Sequence, residues 1–231
     1  MANKAGSALL AVGSDRSPSR AREDYVKAIY QLGAQGPVRA AALARYLNVS
    51  RVSVSKAKRA LESDGLLERA PSASGPLRLT SRGLRLAVAM VRRHRLLETF
   101  FHVALRMPLD RVHAEAERIE HVISDDVALR IAKLLGNPRA DPHGHPIPYA
   151  DAVPNRGTLP ALTTLRVGES ARVVSLDDRD DRAVAALSES GVLPGVRLRL
   201  ARADGNRVYV RCGRRLLSLR RAHAEMVRIG P

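Results

Sequence analysis

Residues Asp110 to Gly136 read DRVHAEAERIEHVISDDVALRIAKLLG, and the rest of the chain is organised around this stretch. Its apolar residues Val112, Ala116, Ile119, Val122 and Ile123 recur at three- and four-residue steps, which predicts one helix with an apolar stripe. Beside the stripe lie His113, Glu117, Glu120 and His121, again at helical spacing, so the four are expected to be neighbours on one helix surface. Imidazoles and carboxylates converging on one face are the ligand types that hold a divalent metal. For any one of these residues a solvated face with helix ion pairs is the plainer account. Four together weigh against it, the more so because His94 and Glu98 repeat the four-residue spacing in the segment before.

Composition bounds what such a chain can be. With 231 residues it has room for two or three small domains. Hydrophobic content is 45% but aromatic content only 3%, so the cores must be built from Leu, Val, Ala and Ile. The net charge of +16 is concentrated in residues 19–80 and 151–231, which suits a polyanion such as DNA; an Arg-rich coding bias would produce the same excess. A single cysteine, Cys212, excludes an internal disulfide framework and a thiolate metal cage. No apolar run is long enough to span a bilayer as a helix. The opening residues, with a short apolar run from Ala8 to Val12, read as a loose arm and not a secretory leader, so the expected location is cytoplasmic.

Taken in order, residues 19–80 have the layout of a winged helix-turn-helix. Arg20 to Leu32 is a helix burying Tyr25, Val26, Ile29, Tyr30 and Leu32, ended by Gly36-Pro37. Ala40 to Leu47 is a short second helix, and Asn48-Val49-Ser50 a turn. Ser50 is a natural cap for a third helix to Ser63, which Asp64-Gly65 stops. Leu66–Arg69 and Leu77–Thr80 read as the strands of a wing. On the third helix Arg51, Ser53, Lys56 and Arg59 are expected to face outward, with Ser53 and Lys56 at base edges and Arg51, Arg59 and the wing residue Arg78 at phosphates. The same scaffold used for protein contacts is the rival reading, and the basic face argues against it.

Residues 81–152 are expected to form a helical metal-binding and dimerisation domain. A long helix after Ser81 carries His94 and Glu98, Met107–Asp110 is a turn with Asp110 as cap, and the Asp110–Gly136 helix follows. His143 and His145, in a Pro- and Gly-rich loop, read as packed loop residues in preference to ligands. Residues 153–165 read as a linker. From 166 to 231 the period becomes strand-like, with a hairpin at Asp204-Gly205 and a short helix from Ala183 to Ser190, which predicts a small SH3-like barrel. The fold class is thus mainly α with a C-terminal β-barrel. The acidic run Asp177–Asp181 could lend a carboxylate to a neighbouring metal, with Asp180 the nearest candidate.

EDYVKAIYQL in the first helix, RRHRLLETFF in the long helix, RVHAEAERIEHVISDD and the HPIP loop together resemble the diphtheria toxin repressor family of metal-dependent transcriptional repressors. Glu120-His121-Val122-Ile123-Ser124-Asp125 is a fairly specific mark of that family, and the tail looks like the SH3-like (FeoA-like) third domain of longer members. The resemblance implies a homodimer that binds palindromic duplex operators when metal is present, not an enzyme. It implies a primary metal site on Asp24, Glu117, Glu120 and His121 and an ancillary site on His94, Glu98 and His113. Asp24 and Glu117 stand where the iron-responsive branch has Met and Cys, as in the manganese transport regulator branch. Lys27 departs from that branch, which has an acidic residue there, and so does His113, where that branch has no His.

Carboxylate and imidazole ligands suit Mn²⁺ or Fe²⁺. The expected function is therefore a regulator of manganese or iron homeostasis genes with Mn²⁺ as co-repressor. Fe²⁺ is the alternative within the family. A metal-independent winged-helix binder and a metallo-hydrolase using His94, His121 and a carboxylate are the readings from other classes. The hydrolase has neither a nucleophile motif nor a Gly-rich phosphate loop in its favour.

Overall fold

The computed structural model describes residues 19–69, 72, 75–149 and 159–231, so the expected N-terminal arm, the tip of the wing and residues 153–158 of the expected linker lie outside the described residues. The chain forms two compact units. Of the described residues, one holds 19–93, His121–Val127 and 148–149; the other holds His94–Glu120, Ala128–Ile147 and Leu159–Pro231. Among the described residues no helix is long and apolar enough to cross a membrane.

In the first unit α1 (Arg20–Gly33), α2 (Ala40–Tyr46) and α3 (Arg51–Ser63) pack around Val26, Ile29, Leu43, Val54 and Leu61, all buried. Ser50 caps α3 as expected, its hydroxyl accepting from the Ser53 N–H at 3.0 Å. Past Asp64 the chain turns through Gly65 at φ +67. The wing is slighter than expected: isolated bridges pair Val38 with Leu77 and Leu67 with Leu79, and Glu68 N–H donates to the Arg78 carbonyl at 2.9 Å. Long strands are not needed, because Leu66, Leu67 and Leu77 are already anchored in the core of this unit. The first turns of α4 (Ser81–Val103) close against it so tightly that a Cβ at Gly83 would lie 2.0 Å from the Leu66 carbonyl oxygen.

The predicted helix over Asp110–Gly136 is in fact two, α5 (Leu109–Ile119) and α6 (Asp125–Leu134). The break has a local cause. Ser124 accepts from the Val127 N–H at 3.2 Å, and Asp125 and Asp126 occupy the first turn of α6, where the helix dipole favours negative charge. A competing N-terminus inside the stretch therefore ends α5 at Glu120. Asp110 lies in the first turn of α5 and does not cap it; Pro108 holds the cap position.

The C-terminal part of the second unit is an antiparallel five-stranded sheet in the order β4-β3-β2-β1-β5, from β1 (Ser170–Leu176), β2 (Arg197–Asp204), β3 (Arg207–Cys212), β4 (Arg215–Arg220) and β5 (Val227–Gly230). α7 (Asp181–Glu189) follows β1, and the short α8 (Arg221–Glu225) precedes β5. Alternation along β2, β3 and β4 buries Leu198, Leu200, Val208, Val210, Leu217 and Leu219 on one face. This core also takes in Leu162, fully buried, and Ala161 pairs with Arg228, so part of the stretch expected as linker belongs to the barrel.

Candidate metal centre

In the first unit the key contact joins α1 to His121. Glu23, buried on α1, places Oε2 2.7 Å from His121 Nδ1, and Asp24 places Oδ1 2.9 Å from Nε2. The Nε2–Asp24 approach is short but is not directed as a hydrogen bond. Sequence reasoning named Asp24 and missed Glu23, because consecutive helix residues do not share a face. Here one imidazole offers two nitrogens, and each meets its own carboxylate.

In the second unit the remaining expected residues come together, joined by four that were not expected. His94 on α4, nearly buried, has Nδ1 2.6 Å from Glu120 Oε2 and 3.8 Å from Glu117 Oε1. Its Nε2 lies 3.2 Å from Glu98 Oε1 and 3.1 Å from His113 Nδ1. His113 Nδ1 is 3.1 Å from Glu98 Oε1 and 3.5 Å from Asp178 Oδ2. The nearby acidic loop therefore supplies Asp178. Asp180, the residue expected there, instead caps α7, accepting from the Ala183 N–H at 3.1 Å.

The other side of Glu98 is occupied by the Asp141–Ile147 loop. His143 is fully buried, with Nε2 3.1 Å from the Leu109 carbonyl and Nδ1 turned to Glu98 Oε1 at 3.6 Å and Asp178 Oδ2 at 3.9 Å. His145 Nδ1 lies 3.4 Å from Asp141 Oδ2 and 3.5 Å from Asp178 Oδ2. The loop is held on β1 by a 2.9 Å bond from Leu176 N–H to the His143 carbonyl. It approaches so closely that a Cβ at Gly144, at φ +90, would lie 2.0 Å from the Val174 oxygen. The Asp-Pro-His-Gly-His pattern carries histidines two apart, and a sequence without a fold gives no reason to point either at Glu98.

Electrostatics fit a cation site. Burial alone would raise the Glu98 carboxyl, but the His94 charge and hydrogen bonds from His113, His143 and His94 hold it well below the usual carboxylate range. Burial would lower His143, yet hydrogen bonding and charge from Glu98, with Asp178 and Asp141, raise it to about 9. Glu98 Oε2 and Asp141 Oδ2 are buried without a hydrogen-bond partner. Such atoms are costly unless something pairs with them, and a bound divalent ion would. Three donor groups in this unit each converge within 4.8 Å: His94, Glu98, His113 and Asp178; His94, Glu117 and Glu120; and Glu98, Asp141 and His143. None includes a cysteine; Cys212 packs beside the barrel core.

On the DNA-reading side, Arg51, Lys56 and Arg59 on α3 and Arg78 on the wing are exposed as expected. Ser53 differs: it is half-buried and its hydroxyl lies 2.9 Å from that of Ser50, within the cap. The outward stripe runs through Val52, Ser55, Lys56 and Arg59, and Val52 is 64% exposed. An outward valine on such a helix offers the apolar contact that a thymine methyl accepts.

Comparison with known proteins agrees with these features domain by domain. Residues 19–74 match the iron dependent repressor N-terminal DNA binding domain, 80–149 the iron dependent repressor metal binding and dimerisation domain, and 161–231 the FeoA domain. The chain is 35% identical over 204 residues to the iron-dependent repressor IdeR of Mycobacterium leprae, covering 81% of this chain and 86% of that protein. It is 32% identical over 203 residues to the diphtheria toxin repressor of Corynebacterium glutamicum, covering 83% and 88%. Among solved structures, a manganese-dependent transcriptional repressor in complex with manganese matches with a TM-score of 0.80 and 33% identity, over 90% of this chain and 98% of that one. The winged helix-turn-helix, the carboxylate–imidazole clusters and the C-terminal barrel are thus accounted for together: the chain belongs to the diphtheria toxin repressor family of metal-dependent transcriptional repressors.

Proposed function

We propose that the co-repressor is Mn²⁺, with Asp24, Glu117, Glu120 and His121 as primary ligands and His94, Glu98 and His113 as the core of a second set that Asp178 and His143 complete. The observation that carries this reading is the donor chemistry. Every cluster is carboxylate and imidazole, and the positions that resemble the sulfur ligands of the iron-responsive branch are Asp24 and Glu117. A bound divalent ion supplies positive charge to a group of buried carboxylates that otherwise repel one another. Around it the chain's own residues orient one another: Glu23 holds His121, and the Leu109 carbonyl fixes His143 so that Nδ1 faces inward.

The functional protein is a cytoplasmic homodimer that reads a palindromic operator, each subunit presenting Val52, Ser55 and Lys56 to base edges and Arg51, Arg59 and Arg78 to phosphates. Half-sites about one helical turn apart, ~34–36 Å, require the two α3 helices to be held at a fixed separation. Metal and operator then favour the same conformation, a coupling of typically ~1–3 kcal/mol that works in both directions. The targets are genes of manganese or iron homeostasis. Iron is the second reading, favoured by the identity to relatives named as iron-dependent. Operator binding measured against free Mn²⁺, anaerobic Fe²⁺ and a chelator tests both. Half-saturation at lower Fe²⁺ than Mn²⁺ would replace the first reading by the second.

A further inference from the structure

The outward face of the C-terminal sheet has a charge arrangement that repression by the first domain does not use. Residues 197–231 hold ten arginines against two acids, Asp204 and Glu225. Strand register sets six exposed arginines of this barrel in directly opposed pairs: Arg172 with Arg197, Arg199 with Arg211, and Arg207 with Arg220. Their neighbours Ala171, Leu198, Leu200, Val208, Val210 and Leu219 point into the core, so all six stand on the outer face.

Like charges directly opposite one another destabilise a sheet. Three of these side chains donate to uncharged oxygens: Arg172 to the Gly195 carbonyl, Arg199 to the Gly168 carbonyl and Arg207 to the Ser218 hydroxyl. The barrel's ion pairs among the described residues lie elsewhere, at Arg179, Arg202 and Arg221. Asp204 also stands opposite Arg207 in the β2–β3 register, but its ion pair is to Arg202. A face that sets three arginine pairs against this one acid suits an external polyanion.

We infer that this face binds the phosphate backbone of duplex DNA, sequence-independently, as a second nucleic-acid contact of the repressor. Arg172 and Arg220 stand on the outer two of four adjacent strands, a width of ~14 Å at ~4.8 Å per strand spacing. That is close to the ~12 Å breadth of the major groove, so arginines at the two edges can reach both bordering phosphate rows. An anionic membrane fits less well. Docking to lipid calls for several apolar side chains that enter the interface; beside these arginines the sheet exposes Leu216, opposite Arg211, while Tyr209 is roofed by the Arg202 guanidinium 3.9 Å from its ring.

The test uses the full-length protein and a non-operator duplex, with log affinity measured against log salt. Replacing Arg197, Arg199 and Arg211 by Ser should lower the magnitude of the slope by up to about 0.9 for each phosphate no longer neutralised, hence ~2–3 in all. Arg197→Lys, Arg199→Lys and Arg211→Lys together should leave it unchanged. The Ser variant should melt no lower than the parent, since opposed charges are removed, and its operator affinity should rise with Mn²⁺ by the same factor as the parent's. An unchanged slope overturns the inference, as does an equal drop in the Lys variant. So does capture by phosphatidylserine vesicles through these arginines with no effect on DNA. A missing metal response in the parent would count against the co-repressor reading and leave this one standing.

Discussion

Glu98 is the residue on which the proposed second metal set turns, and Glu98→Gln changes its charge with almost no change of volume. The carboxylate is fully buried, with His94, His113 and His143 nitrogens at 3.2, 3.1 and 3.6 Å from Oε1. Removing one partner of a buried ion pair typically costs ~3–5 kcal/mol, because the other charge is stranded. Here imidazoles can shed a proton and the amide oxygen still accepts, so the metal-free protein should lose less than that. The metal-loaded protein should lose far more of its added stability. At a free Mn²⁺ concentration of about 100 times Kd, one site stabilises the fold by ~2.7 kcal/mol. If the loss of this ligand weakens the site ~100-fold, the contribution falls to about RT ln 2, or ~0.4 kcal/mol. For a chain of this size 1 kcal/mol moves Tm by ~2–4 °C. The Mn²⁺-dependent rise should therefore shrink by ~5–9 °C. Scanning calorimetry across a Mn²⁺ titration reads the shift, and isothermal titration should show one ion fewer per subunit. An unchanged stoichiometry together with an unchanged rise in Tm would refute the assignment of Glu98 as a ligand.

Other expectations follow from the same geometry. His121→Ala and Glu117→Ala should abolish metal-stimulated operator binding while sedimentation still shows a folded dimer; full Mn²⁺ response in either variant would sink the primary-site assignment. Glu23→Ala, which removes the 2.7 Å support of His121, should weaken Mn²⁺ binding ~10–100-fold, measured by titration, and an unaltered Kd would make Glu23 a bystander. Lys56→Ala should change the sequences selected from random DNA, whereas Arg78→Ala should weaken all sequences alike and lower the salt slope by about 1; the idea fails if the selected sequences stay the same. Replacing Asp24 by Met and Glu117 by Cys should shift activation from Mn²⁺ towards Fe²⁺ in anaerobic DNA binding, since sulfur is the softer ligand, and an unmoved preference would place selectivity elsewhere.

What the sequence made legible was whatever periodicity or local chemistry encodes. The Ser50 cap, the Asp64-Gly65 stop and the alternation of β2 to β4 could all be read from residue order, because each depends on near neighbours. The helix break at Glu120 was legible in principle from Ser124-Asp125-Asp126, but the apolar steps through Val122 and Ile123 pointed the other way; Val122 proves 78% exposed. The candidate metal centre was half legible. His113 and Glu117 share α5, and His94 and Glu98 share α4, so spacing found them. Asp178 and His143 reach Glu98 only because a loop docks on β1, which brings together residues far apart in the chain. Similarly, the exchange of Ser53 for Ser55 on the outward stripe depends on which serine the cap consumes, and helical spacing alone does not settle that.

Gly144 touches no charge, yet it decides where the loop lies. With the Val174 oxygen 2.0 Å from any added Cβ, even alanine would lift the loop and carry the neighbouring His143 away from Glu98. α3 and the residues proposed to read bases would be untouched. Subunits of this kind would still fold and pair, but they would answer the metal poorly. In a cell holding both versions, random pairing would put a deaf subunit into most of the repressor pool, and an operator that needs both halves set would be lost to each mixed pair. A change of one methyl group at Gly144 should therefore behave genetically as dominant, the signature of a shared assembly and not of a shortage of protein.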